Sequence, residues 1–214
     1  MNTVSSFSVS KEQFSRDTDL LIELSAEAYR VFGALGNLTE DLRVLSFNAE
    51  FASGRAGAKG NCVRVLTQAT RELVNALSRR YENIQSNREV TRDAATVIKN
   101  TVAISNDSAY DVEKSTEELR SLVRANDQLS SEMSAISAIA QECDGIAVAI
   151  AVEAATAGIF REEFQQVADT MHRYVEELQN MVTKVGRNVR RFKDRGSRLL
   201  DRMSESQNKS SKAA

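Results

Sequence analysis

Few residues in this chain are of types that do chemistry, and their spacing decides against most of it. The single histidine, His172, stands beside Met171 with no cysteine or carboxylate cluster around it in sequence. Metal centres and acid–base sites need several such groups to converge. His172 therefore reads as a side chain on the flank of a helix, and no metal or catalytic residue is assigned. Cys62 and Cys143 form no framework of paired spacings, so the plain reading is two reduced thiols in a cytoplasmic protein. Cys143 falls on an apolar seam and reads as a small core residue. The glycine-rich run Gly54–Gly60 lacks the Lys-Ser/Thr ending of a phosphate loop, and neither a nucleophile elbow nor a dinucleotide fingerprint occurs. An enzyme has no residues to stand on, and no cofactor is expected. One basic cluster remains: Lys184, Arg187, Arg190, Arg191, Lys193, Arg195, Arg198 and Arg202. It runs nearly all round a helix, which suits solubility and a helix C-terminus. A weak contact with an acidic partner or a membrane surface is the other reading.

What these sparse groups sit on is helix. The 214 residues contain no proline and no tryptophan, and aromatics are 6%. Proline breaks the i to i−4 ladder, so its absence over this length favours long uninterrupted helices and argues against a sandwich or an α/β fold. Hydrophobic residues at 42% and charged residues at 27% fit a soluble chain that buries a narrow stripe. The net charge of −2 implies no general attraction to nucleic acid. No uninterrupted apolar run of about 18 residues is present and no secretory signal is visible, so no membrane span is expected.

The stripe has the three–four spacing of a coiled-coil seam: Leu21, Leu24, Ala28, Val31, Leu35, Leu38, Leu42, Leu45, Ala49 and Ala52. Gly54, Gly57 and Gly60 then turn the chain. The seam resumes at Val63, Leu66, Thr70, Leu73, Leu77 and Ile84, and weakens through residues 85–93. A third helix carries Leu119, Leu122, Asn126, Leu129, Met133, Ile136, Ala140, Cys143, Ala147, Ile150 and Ala154. After a turn at Gly158 a fourth follows, with Phe164, Val167, Met171, Tyr174, Leu178, Val185, Val189, Phe192 and Leu199 among its seam residues. The expected organisation is a frayed N-terminus (1–9), a first hairpin (10–104) whose first helix is capped by Ser10 and runs to about Ser53, a link (105–108), a second hairpin (109–203) and a disordered tail (204–214). Each helix is about 45 residues, or ~68 Å. The fold predicted is all-α: an antiparallel four-helix, coiled-coil-like bundle made of two tandem long helical hairpins. Both turns would then lie at the same end. The competing arrangement opens the hairpins into a longer rod or swaps them between chains.

With Leu42, Leu45 and Ala49 inward, Val44, Phe47 and Phe51 point to solvent. Exposed aromatics on a narrow bundle mark an interaction surface, unless a neighbouring helix covers them in a different register. Gly145, Val148 and Val152 hold the matching positions in the second hairpin.

Two stretches carry a resemblance. "LSFNAEFASGRAGAKGN" (45–61) is similar to the signalling tip of methyl-accepting chemotaxis proteins, whose usual form is LALNAAxEAARAGExGRGF; Leu45, Asn48, Ala49, Arg55, Ala56, Gly57 and Gly60 match. Ala52 stands where the family has Glu. "IAQECDGIAVAIAVEAATAGIFREEFQQVA" (139–168) resembles the same motif without a gap, matching among others at Ala147, Glu153, Ala154, Ala155, Ala157, Gly158 and Phe164. Here Ala149 replaces the family's Asn, Thr156 its Arg and Arg161 one of its glycines. Ala56-Gly57 and Ala157-Gly158 align at one fixed offset, so the chain is an internal duplication. The resemblance implies a cytoplasmic chemoreceptor signalling domain in two degenerate tandem copies, a single-chain imitation of the family's two-chain bundle. Its implied partners are other chemoreceptors, the chemotaxis histidine kinase or the coupling protein, reached through Val44, Phe47, Asn48, Phe51 and Arg55 of copy 1 and Val148, Val152 and Glu153 of copy 2. The implied form is a monomer or weak oligomer. Glu117-Glu118 resembles the family's methylated pairs, but the reading preferred is a solvated helix face. A self-contained bundle that senses a small ligand, or a purely structural rod, are the alternatives.

Overall fold

The structure, a computed structural model, describes residues 11–104 and 112–213. The 1–9 segment, the Ser10 cap and the 105–108 link lie outside the described residues. Those described form five α-helices and no strand: α1 (Lys11–Phe32), α2 (Leu35–Arg55), α3 (Asn61–Ile104), α4 (Val112–Ala154) and α5 (Arg161–Ala213). Single 3₁₀ turns at Gly57–Gly60 and Gly158–Phe160 join α2 to α3 and α4 to α5. The fold is an all-α helical bundle.

The chain forms two compact units, each built from segments of the same four arms. The tip unit comprises residues 30–84 and 131–185 and contains both turns. Its core holds Ala49, Ala52, Val63, Ala147, Ile150, Ala154, Ala157, Phe164, Val167, Ala168 and Met171. So many alanines let the helices approach closely around Phe164, which is fully buried and stacks with the half-buried Phe160. The second unit draws on residues up to 29, 85–130 and from 186 onward. It packs Phe14, Leu21, Leu24, Ala94, Ile98, Leu119, Leu122, Phe192, Leu199 and Met203 together. Each large side chain so buried contributes about 1.5–3 kcal/mol.

Three expectations are corrected. The first arm is not one helix to Ser53. It breaks at Gly33-Ala34, where the Gly33 amide bonds back to the Arg30 carbonyl at 3.2 Å, an i to i−3 contact. The cause lies in Phe32, which is fully buried where the heptad would place Val31. The core spacing becomes Ala28, Phe32, Leu35, Leu38, and two successive steps of three overwind a helix; Gly33, a poor helix former, yields there. Second, residues 85–93 are not a weak stripe but a polar one. Thr91 and Asn87 are buried. The Thr91 hydroxyl donates to the Asn87 carbonyl at 2.9 Å, so Tyr29 donates its own proton to Thr91 at 3.0 Å. Asn87 donates to the Ala125 carbonyl and Asn126 to that of Val189. Third, α5 continues to Ala213 where a disordered tail from Ser204 is expected. One stretch among the described residues, Lys114–Ala154, is by length and composition alone apolar enough to cross a membrane. A count of uninterrupted apolar residues misses it because Glu142 and Asp144 interrupt the run. Its Ile136, Ala140, Cys143, Ala147 and Ile150 are core residues of the tip unit.

Candidate interaction surface at the hairpin tips

The turns are set by backbone geometry. Gly57 and Gly158 have φ of +60° and +65°, in the left-handed region that strains any side chain. Gly60 is required for a different reason: a Cβ there would lie 2.0 Å from the Ser53 carbonyl oxygen. The chain leaves α2 so tightly that its return leg rests on the helix's own last turn. Gly54, by contrast, stays helical with open space beside it.

The duplicated turn is built differently. α2 runs to Arg55, and the Ala56 amide still bonds to Ala52 at i−4. α4 stops at Ala154, the counterpart of Ser53, and the next three amides bond at i−3: Ala155 to Val152, Thr156 to Glu153 and Ala157 to Ala154. Unwinding two residues early removes the close contact, which is why position 161 can be arginine where the first copy needs Gly60. The two turns sit side by side, with Lys59 Nζ 3.1 Å from where a Cβ of residue 158 would be.

Above these turns the outward residues of α2 are open. Val44 is 49% exposed, Phe47 45% and Phe51 73%, and on α4 Val148 is 50% and Val152 64%. No neighbouring helix buries them. The Arg71 guanidinium lies 4.5 Å from the Phe47 ring centroid, worth about 0.5–1 kcal/mol at an exposed site. Arg71 is itself ion-paired with Glu50. Phe51 has no such partner among the described residues. Asn48 is exposed and lines a groove of about 370 Å³ between α2 and α5, with Asp41, Val44, Glu163, Gln166 and Tyr174. Arg55 is not free: it pairs with Glu163 on α5 and ties the first hairpin to the second. Both partners are solvent-accessible, so this tie is worth at most about 1 kcal/mol. Glu153 is half-buried on α4, whereas Asn48 and Arg55 are exposed on α2.

Two exposed apolar residues join the surface unannounced, Val65 at 65% and Ile159 at 93%. Ile159 stands at the turn position where the resembled motif has an acid, which was the available signal. Val65 follows the first turn two residues after core Val63 and belongs to no seam.

The reactive side chains are otherwise committed. His172 Nδ1 lies 2.9 Å from Asp144 on α4, a partner 28 residues away that local sequence does not reveal. No group of three or more His, Cys, Asp or Glu residues converges on a metal position among the described residues. Both cysteines are free, Cys62 exposed and Cys143 buried. Burial, with Glu142 adding to it, pushes the Cys143 thiol up to about 12. Glu117 is held below the usual carboxylate range by hydrogen bonds from Arg124 and Arg120, on a solvated face. No family model, curated protein or solved structure matches this chain.

Proposed function

We propose that this chain is a soluble, non-enzymatic, cytoplasmic chemoreceptor-like signalling or scaffold protein. It acts through its tip on chemoreceptors, the chemotaxis kinase or the coupling protein, one chain standing in for a receptor dimer. The observation that carries the reading is the uncovered row Val44, Phe47 and Phe51, on the same copy that keeps Asn48 and Arg55 of the receptor motif. Large rings left in water next to two adjacent turns favour a role in partner binding over one in folding. Aromatic anchors at an interface commonly cost about 2 kcal/mol or more when lost.

The test is paired. Phe51→Asp should leave helix content and melting temperature unchanged, while recruitment of the labelled protein to receptor clusters in cells falls at least tenfold. Phe47→Asp also loses the Arg71 contact, so Phe51 is the cleaner probe. A folded Phe51→Asp variant that clusters like the wild type would refute the tip as the binding surface.

A further inference from the structure

We propose that the groove between α1 and α3 in the second unit binds a small amphiphilic carboxylate. One wall is the α1 stripe Ile22, Ala26 and Tyr29; the other is the α3 stripe Arg88, Arg92, Ala95 and Lys99. Both follow the i, i+4, i+7 spacing that puts residues on one helix face. Two alanines line the groove, the exposed Ala26 on α1 and the buried Ala95 on α3. They leave a hollow of about 320 Å³, within the ~300–1,000 Å³ of small-molecule sites. Its inner end is closed by the Tyr29–Thr91 hydroxyl pair, already satisfied by the Asn87 carbonyl. Water has little to hydrogen-bond to there.

Charge selects the ligand. Three cations rim this hollow, and no carboxylate lines it. Arg92 is engaged with Glu89 on its own helix at 3.2 Å, whereas Arg88 and Lys99 have no side-chain partner among the described residues. The larger cleft of the same unit, about 690 Å³, is different: Arg191, Arg195, Arg198 and Arg202 alternate with Asp17, Asp194 and Asp201, and Arg202 is bound to Asp17 at 2.6 Å. That cleft largely neutralises itself, four arginines against three aspartates. The α1–α3 groove does not. An apolar body fits against Ile22, Ala26 and Ala95, and a carboxylate at its Tyr29–Thr91 end meets Arg88 through charge-assisted hydrogen bonds, while Lys99, about 16 Å further along α3, rims the opposite end. This inference is independent of the tip, whose residues all lie in the other unit.

Octanoate titrated into the full chain, followed by calorimetry and amide chemical shifts, tests it. Octylammonium controls for charge and acetate for the apolar body. The expected result is saturable binding at one site, with shifts centred on Ile22, Ala26, Thr91 and Ala95, from octanoate alone. Arg88→Gln, at an exposed position, should weaken it about tenfold, whereas Lys99→Gln, at the opposite end of the groove, should change it less than about twofold. Ala26→Leu, which fills the mouth of the hollow, should abolish it. Non-saturable binding, equal binding of octylammonium, or undiminished affinity in Arg88→Gln would overturn the proposal.

Discussion

The three glycines of the first turn look interchangeable in sequence, yet alanine should affect them with different signs. Gly60→Ala is the severe case. Its Cβ would meet the Ser53 carbonyl oxygen at 2.0 Å, the carbonyl carbon at 2.7 Å and Cα at 2.8 Å. Carbon contacts settle near 3.5 Å, so the turn would have to open by about 1.5 Å. All three obstructing atoms are backbone, and no rotamer change relieves them. Overpacking costs about 1–3 kcal/mol, and the upper end applies. Restricting the unfolded chain returns about 0.4–1 kcal/mol, for a net loss of about 2 kcal/mol. In a chain of this size that lowers the melting temperature by about 4–8 °C. Gly57→Ala meets no atom but must hold φ at +60°, a cost of about 1–2 kcal/mol against the same gain, so about 1 kcal/mol is lost. Gly54→Ala sits in open helix and should stabilise by about 0.5–1 kcal/mol. Urea unfolding followed by circular dichroism at 222 nm orders the three. A Gly60→Ala protein within about 0.5 kcal/mol of the wild type, or a Gly54→Ala protein as damaged as Gly60→Ala, would refute the close-return turn.

Other outcomes follow from single residues. Tyr29→Phe removes the donor to Thr91 from the buried polar layer and should cost about 1 kcal/mol by urea unfolding; because burial raises the Tyr29 phenol above its usual value, the variant should also lose less stability than the wild type in strong alkali. The Cys143 thiol keeps its proton in the folded state up to about 12, above the ordinary value of 9.0. Its contribution is therefore complete below about pH 9 and lost as pH rises toward 12, with a slope of up to about 1.4 kcal/mol per pH unit that Cys143→Ala should flatten. Iodoacetamide on the native protein should label Cys62 and spare Cys143, as mass spectrometry of peptides will read. Val152→Asp should reduce clustering less than Phe51→Asp, and the chemoreceptor methyltransferase should leave Glu117 and Glu118 unlabelled.

The seam was legible because heptad spacing reports burial directly: Leu21, Leu42, Leu77, Leu119, Ile150 and Phe164 are all buried where the pattern puts them. The turn glycines were legible because only backbone freedom explains them. Most of the illegible features depend on a partner far along the chain. Phe32 displaces Val31 through packing that its own helix does not specify. Asn87 and Thr91 look like a failing stripe until Tyr29, 62 residues from Thr91, and the Ala125 carbonyl satisfy them. Arg55 reads as a docking residue, but Glu163, 108 residues on, holds it. Tyr174 takes a half-exposed place while Val175 enters the core, a one-residue drift that a strict heptad hides.

The unequal turns have a consequence for valency. An assembly of two identical chains shows every surface twice, related by its two-fold axis, so whatever grips one copy can grip the other. Here Phe51 on one hairpin is answered by Val152 on the other, Gly60 by Arg161, and Arg55 by Thr156. Any partner that requires the aromatic pair meets it once per molecule and in one orientation. Such a molecule can end a row of contacts but cannot extend it through that surface. On the docking proposed for the tip, the molecule added in excess to a growing lattice would cap free edges rather than extend them.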